Sequence, residues 1–415
     1  MQSKAHSLSL LTMIWMVVLF CTAVVIAAPA QSGVFTDLAN FDGTNGAEPT
    51  AGLVQGTDGN FYGTTPYGGA WGTVFRLTAD GTLTTLYSFC SQSNCTDGAL
   101  PFSGLVQGSD GNFYGTTWFR GDNEYCNGDG CGTVFKVTPE GVLTTLHSFD
   151  GADGTNPGDL VQATDGNFYG TTYGGGAYEN CSHGCGTVFK MTSTGAFTTV
   201  HRFNGLSDGL TPDGLVQATD GNFYGTGLEA NFGYGMIFKM TPGGVLSRLY
   251  TFCRQPHCAD GGDPNPLIQA SDGNFYATTY GGGANNYGTV FKMTLAGSLT
   301  TLYSFCSQPN CADGGAPLGR LLQASDGILY GTTSNAQATQ CGIIGCGTVF
   351  KITLVGRLTT LHTFDLTHGA DPEAGLVQVT HGNFYGTTGI GGNLGCNFPA
   401  GCGTVFRLAA RGVSR

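Results

Sequence analysis

The sequence predicts an all-β fold: a seven-bladed β-propeller of four-stranded antiparallel blades, closed by the N-terminal strand completing blade 7. Three observations predict it. One motif recurs seven times at near-constant spacing, and each repeat holds four short strand-like runs. The last repeat lacks its fourth strand, and the missing piece stands at the front of the chain.

The motif reads G-L-V-Q-x-[ST]-D-G-N-F-Y-G-T-T, then a variable stretch, then G-T-V-F-[KR]-x-T-x-x-G-x-L-T-T-L-x-S-F. Its marker glutamine falls at 55, 107, 162, 217, 269, 323 and 378, so successive units are 52, 55, 55, 52, 54 and 55 residues apart. In the second unit, Gly104 to Gln107 is strand a, Asn112 to Thr117 strand b, Gly132 to Thr138 strand c and Leu143 to Phe149 strand d. Asp110-Gly111 links a to b as a tight hairpin turn, because glycine accepts a positive φ. Pro139-Glu140-Gly141 links c to d in the same way, and the alternation in Thr133-Val-Phe-Lys-Val137 fits a pleated strand.

The ends decide between a ring and an open array. The seventh unit stops after Gly403 to Leu408, and Phe35-Thr-Asp-Leu38-Ala-Asn-Phe41-Asp-Gly43 aligns with the strand-d run Leu143 to Gly151. An open β-solenoid, the alternative, gains nothing from this permutation, and its coils are usually shorter. A ring gains, because pairing the N-terminal strand into the last blade removes both free edges.

Residues 1–30 read as a signal peptide: Lys4 supplies a positive start, Leu8 to Ile26 is almost wholly apolar, and Ala28-Pro29-Ala30 is a small-residue cleavage site. The apolar run is also just long enough for an uncleaved anchor, so cleavage and anchoring both stay open. Residues 31–415 then form a single propeller, with repeats near 50–102, 103–156, 157–211, 212–264, 265–317, 318–372 and 373–410 plus 33–43. The expected location is secreted, extracellular or periplasmic. No second hydrophobic span follows. The net charge of −12 and the absence of a basic cluster argue against nucleic acid and anionic membranes as partners. The expected state is a monomer.

Apart from Cys21, the cysteines fall into close pairs, one per unit: Cys90-Cys95, Cys126-Cys131, Cys181-Cys185, Cys253-Cys258, Cys306-Cys311, Cys341-Cys346 and Cys396-Cys402. Even pairing in a secreted chain predicts local disulfides. Metal binding is the rival, but no pair has a companion at zinc-finger spacing in its unit. Units one, four and five carry the pair in the d–a link, the others in the b–c loop.

In an up-and-down blade those two connections share one face, and this face holds the cysteines, the length variation and most spare aromatics. Variable loops on a rigid scaffold are the usual seat of binding. The candidate ligand-binding residues are Tyr67, Trp71, Trp118, Tyr125, Tyr173, Tyr178, Phe232, Tyr234, Tyr280 and Tyr287. Such rings suit glycans or proteins, and they equally suit the plainer task of plugging loops.

The turn aspartates Asp58, Asp110, Asp165, Asp220, Asp272 and Asp326 are expected to be Asx-turn residues, paired with the Lys or Arg late in strand c. The recurring glutamine is expected to hydrogen-bond between blades. Aspartates of the variable face offer oxygen to Ca²⁺ or Mg²⁺, but no 12-residue calcium loop occurs, so no cofactor is expected. No catalytic residue stands out: there is no Gly-x-Ser-x-Gly, no His-Glu-x-x-His and no phosphate loop. His147, His201 and His362 fill a strand-d slot that holds Tyr87, Tyr250 and Tyr303 elsewhere, which marks them as packing residues.

At Asp-Gly-Asn-Phe-Tyr-Gly-Thr-Thr followed by Gly-Thr-Val-Phe-Lys-Met-Thr, the chain closely resembles the bacterial choice-of-anchor tandem repeat GloVer-containing proteins, over about residues 33–408. The resemblance implies a bacterial secreted or cell-surface repeat protein of undefined activity. Members often end in an anchoring tail, which this chain does not show. More loosely, it resembles virginiamycin B lyase-type propellers, which share the Asp-Gly-Asn-aromatic strand. Those use Mg²⁺ with closely spaced His and Glu; no His-x-Glu or Glu-x-His occurs here, so no catalytic residue carries over. The sequence thus favours an extracellular non-enzymatic binding propeller that takes a glycan or protein on the variable face. The alternative is a metal-assisted polysaccharide- or lactone-active lyase or hydrolase on that face.

Overall fold

A computed structural model describes residues 34–122, 126, 128–176, 181–229, 233–336, 341, 345–379, 382–396 and 400–409. The signal segment 1–30 and the candidates Tyr125, Tyr178 and Phe232 lie outside the described residues. The chain forms seven antiparallel sheets, each with strands a to d hydrogen-bonded in sequence order. Blade 1 runs Val54–Gln55, Phe61–Thr65, Thr73–Leu77 and Leu83–Ser88. Blade 7 runs Val377–Gln378, Asn383–Thr388 and Thr404–Ala409, and its fourth strand is Val34–Asn40. That strand pairs antiparallel with Thr404–Ala409, from Val34 opposite Ala409 to Asn40 opposite Thr404. Its bulge falls between the partners of Val405 and Phe406, as the bulges of other blades fall at Val74/Phe75 and Val134/Phe135. The split seventh blade is therefore built like an intact one.

The motif explains how blades pack. Adjacent strand residues point to opposite faces, so Phe-Tyr in strand b sends one ring to each neighbour. Tyr62 stacks on Phe113 of the next blade at 3.9 Å between centroids, Tyr114 on Phe168 at 4.0 Å, and Tyr330 on Phe384 at 4.1 Å. Blade 6 has Leu329 in place of the Phe, packed in one cluster with Tyr276. The Phe that follows strand d meets the strand-c Phe of the next blade edge-on, from Phe89–Phe135 at 5.1 Å to Phe364–Phe406 at 5.2 Å. Each such pair adds about 0.5–1.5 kcal/mol beyond its burial.

Polar contacts fix the same register. The Gln107 amide oxygen accepts from the Thr57 N–H of the preceding blade at 3.0 Å, while its Nε2 donates to Gly111 O in its own turn. Gln162, Gln217, Gln269, Gln323 and Gln378 repeat the bridge. The expected inter-blade role of the glutamine is what the structure shows.

A second strap lies on the variable face. The residue before the recurring proline of each unit has a positive φ of 45–57°: Glu48, Leu100, Asn156, Thr211, Asp263, Ala316 and Asp371. Six of their N–H groups donate to the carbonyl just before the Gly-Thr-Val-Phe glycine of the preceding blade, as Asn156 does to Cys131 at 3.0 Å. The proline packs on that glycine. A Cβ on Gly132 would stand 2.7 Å from Cδ of Pro157 and 2.2 Å from Thr117 O, and Gly403 meets Pro49 likewise. Non-glycine residues held at positive φ cost on the order of 1–3 kcal/mol each and cluster where structure serves a site.

Strand a departs from expectation. In blades 1, 2, 6 and 7 only two residues pair with strand b, whereas blade 3 pairs along Thr155–Gln162 and blade 4 along Leu210–Gln217. The reason is length. Pro157-Gly-Asp-Leu160 has one residue fewer than Pro101-Phe-Ser-Gly-Leu105. The shorter segment stays on the ladder through a bulge between Pro157 and Leu160. Blade 5 is equally short, and its Gly262–Pro264 also pairs with strand b.

Candidate binding site at the channel mouth

Two slots on the variable face hold the aromatics. The first follows the Thr-Thr of strand b and contains Pro66, Trp118, Tyr173, Leu228, Tyr280, Ser334 and Gly389 in blades 1 to 7. The second precedes Gly-Thr-Val-Phe and contains Trp71, Cys131, Cys185, Tyr234, Tyr287, Cys346 and Cys402.

The first slot builds a cleft. Trp118, Tyr173 and Tyr280, from blades 2, 3 and 5, line a cavity of about 530 Å³ with Leu228 between them in blade order. The shortened strand-a leads of blades 3 to 5 complete its lining, with Asn156, Asp213 and Asn265 and, at the exposed rim, Asp263. Trp118 lies 4.8 Å from the Phe102 ring and 6.3 Å from Tyr173, and Tyr67 meets Phe102 edge-on at 5.8 Å. Tyr67 therefore supports the wall through Phe102.

The second slot covers the next blade. Where a blade's b–c loop carries no disulfide, an aromatic takes the place of the second cysteine. Tyr234 lies over Gly262 and Tyr287 over Gly315, each within about 3.0 Å of where a Cβ would stand. The Arg120 guanidinium sits 5.6 Å from the Trp71 ring. The structure does not bring these three rings into the cleft. The seven cysteine pairs are disulfides as expected.

Beneath the cleft an axial cavity of about 800 Å³ is lined by the strand-a leads, with Asp159, Asp213, Arg320 and Glu373 as its charged groups. Asp159 accepts from Gly104 N–H at 3.0 Å, and Arg320 donates to Leu215 O at 3.4 Å while its Nε is buried without a partner. Asp213 is exposed to solvent but lines both cavities, where the strand-a leads of neighbouring blades crowd around it and thin that solvent. That desolvation, with the Asp159 charge, pushes its pKa up to about 6, and Arg320 offsets this only in part. At the opposite rim burial is again the main cause. It raises Glu373 to about 7, helped by Asp371 and Glu48, and Asp371 to about 6. The mouth is thus aromatic on blades 2, 3 and 5, with Leu228 on blade 4, and acidic on blades 7 and 1.

The other acids have structural partners. Asp58 accepts from the Tyr62 hydroxyl and from Asn60, and Asp165, Asp220 and Asp272 pair with Lys190, Lys239 and Lys292 at 2.9 Å. The expected Asp–Lys pairing is thus direct in blades 3 to 5. Buried Asp97 accepts from Tyr87, while His147 and His201 face Asp153 and Asp208, so these groups tie down d–a links. Among the described residues no group of three or more His, Cys, Asp or Glu is arranged to hold a metal ion.

Sequence reasoning missed Phe102, Asp159, Asp213, Arg320 and Glu373. A signal was available: between the proline and the leucine of strand a, an otherwise uniform motif reads Thr-Ala-Gly, Phe-Ser-Gly, Gly-Asp, Asp-Gly, Asn-Pro, Leu-Gly-Arg and Glu-Ala-Gly.

A model of the Gloeobacter/Verrucomicrobia repeat matches the chain three times, over residues 24–126, 91–258 and 229–415. The chain belongs to the Gloeobacter/Verrucomicrobia repeat family. No curated protein matches it in sequence. Among solved structures, virginiamycin B lyase from Staphylococcus aureus is similar, with a TM-score of 0.58 at 12% identity over 91% of this chain and 99% of that one. A putative oxidoreductase (glucose dehydrogenase) from Thermus thermophilus gives a TM-score of 0.46 at 16% identity, over 73% of this chain and 94% of that one. At 12% identity the likeness to the lyase speaks for the propeller fold alone, and that fold hosts many activities. Within the Gloeobacter/Verrucomicrobia repeat family, function has to be argued from the residues of the mouth.

Proposed function

We propose that this propeller is an extracellular, non-enzymatic glycan-binding protein whose ligand lies across the aromatic cleft at the channel mouth. One observation carries the reading: Trp118, Tyr173 and Tyr280 come from three blades and converge on one cavity of about 530 Å³, with polar Asn156, Asp213 and Asn265 at its base. Ring faces stack on the C–H faces of sugars while a few fixed polar groups read hydroxyls. The volume falls within the range of small-ligand sites. The seven disulfides are consistent with an extracellular location.

Calorimetric titration with oligosaccharide panels tests it. Trp118→Ala and Tyr173→Ala are each expected to weaken, by at least about tenfold, the binding that Tyr234→Ala retains. Binding unaffected by Trp118→Ala and Tyr173→Ala would remove the cleft as the site.

One observation favours a second reading, a polysaccharide- or lactone-active lyase or hydrolase at the same mouth. Glu373, with a pKa near 7, is poised to exchange a proton at neutral pH. Its test is turnover of polysaccharide or lactone with Mg²⁺ or Ca²⁺ added. Loss of turnover with Glu373→Gln and with EDTA would establish the metal-assisted form, and no turnover on any substrate would leave the binding reading in place.

A further inference from the structure

We infer that the ligand of the cleft is a saccharide bearing free amino groups, an oligomer of deacetylated hexosamine, and this rests on the glycan-binding reading above. Among the described residues the cleft lining contains two carboxylates, Asp213 and Asp263, and no Lys, Arg or His. Asp263 stands at the rim on one of the strained pre-proline residues, with φ 55°. Its carboxylate makes no hydrogen bond or ion pair among the described residues, and burial holds its pKa above the ordinary range.

The channel below supplies the missing charge only in part, through Arg320 near Asp213. Among the described residues Arg320 is the one cation in its lining, against Asp159, Asp213 and Glu373. Part of its fork is already committed to Leu215 O. Arg120, the next cation near the mouth, sits over Trp71 in the outer slot. The cleft and channel therefore form a recess of negative potential, which concentrates cations and repels anionic sugars. Two carboxylates short of cationic partners gain most from a ligand that brings an ammonium group.

The walls point the same way. The faces of Trp118, Tyr173 and Tyr280 are electron-rich and attract an ammonium placed against them. They also stack on a pyranose ring, which an oligosaccharide offers at each residue and a basic peptide does not. Acid and aromatic groups in one cleft thus select a chain that repeats both an apolar ring face and a cationic nitrogen.

The experiment is calorimetric titration of the whole protein at near-neutral pH with four probes: a glucosamine oligomer, its fully N-acetylated counterpart, a glucose oligomer of the same length, and oligolysine. The glucosamine oligomer is expected to bind at least about tenfold more tightly than the other three. Asp213→Asn, Asp263→Asn and Tyr173→Ala are each expected to weaken it about tenfold, and added salt to weaken it further. Tyr234→Ala should leave it unchanged. Thermal melts close to the parent confirm that the variants fold, and Asp263→Asn, at the exposed rim, serves if Asp213→Asn does not. Equal binding of the acetylated or neutral oligomer would overturn the charge inference and leave glycan binding standing. Binding of no saccharide would overturn both. Oligolysine bound as tightly, with the same dependence on Asp213, would replace the saccharide by a basic peptide.

Discussion

Tyr385 of the last blade stacks on Phe61 of the first, 4.2 Å between ring centroids. The contact repeats the Tyr62–Phe113 stack between blades 1 and 2, so the ring closes through an ordinary blade interface. Phe61→Ala and Phe113→Ala, both at fully buried rings, are expected to cost about 3–5 kcal/mol each and to agree within about 1 kcal/mol. Chemical denaturation measures both. A much smaller cost for Phe61→Ala would show that the ring closes loosely.

Gly132 and Gly111 separate backbone conformation from close approach. Both have positive φ, +93° and +82°, but a Cβ on Gly111 meets nothing within 4 Å, whereas one on Gly132 meets Thr117 O and Pro157. Gly111→Ala is expected to cost about 1–2 kcal/mol from conformation alone. Gly132→Ala should cost about 1–3 kcal/mol more, because backbone must move. Equal losses in melting temperature would remove the glycine–proline strap from the account.

Glu373 links the mouth to pH. Its folded pKa near 7 lies above the ordinary 4.5, so the fold favours the protonated acid. Its contribution is fully present below the ordinary value and is lost as pH rises through 7. Glu373→Gln is therefore expected to stabilise the protein by up to about 3 kcal/mol above about pH 8, and by almost nothing below about pH 4. Denaturation midpoints across that range test the slope.

His362 works at the other end. Its ring stacks on Phe35 at 3.8 Å, and burial holds its pKa down to about 4 from 6.5. The neutral ring is favoured in the fold, so stability falls as pH drops from 6.5 through 4. His362→Phe should flatten this acid limb by up to about 3 kcal/mol. An unchanged acid limb would mean that the ring accepts its proton without leaving its stack.

The disulfides close loops of 4 to 6 residues in sequence separation. Loops this short limit each bridge to about 2 kcal/mol of chain-entropy stabilisation. Replacing Cys253 and Cys258 together by Ala is expected to cost about that much and to leave the blade folded. Thiol labelling of denatured, unreduced protein should find no free thiol among Cys90 to Cys402; several labelled sites would refute the pairing.

The blade was legible because each of its parts is local. Phe61-Tyr62 alternates across one strand, Asp110-Gly111 makes one turn, and each cysteine partner is a few residues away. The site was less legible. Trp118 and Trp71 look alike in the sequence, each a ring in a variable loop. Trp118 follows strand b and reaches the cleft; Trp71 precedes strand c, where other blades have the second cysteine, and covers its neighbour. Asp213 sits in a strand-a lead whose dropped residue, set beside the four longer units, changes its path toward the axis.

The sequence by itself determined the number of blades, the strand order, the closing strand and the cysteine partners, because periodicity and short-range pairing are carried by neighbours along the chain. Only the tertiary structure decided which aromatics share a cleft and which carboxylates lack a cation. Those groups come from units more than 50 residues apart. They meet because closing the ring turns the first slot and the strand-a leads of successive blades toward one axis and leaves the second slot at the outer seams.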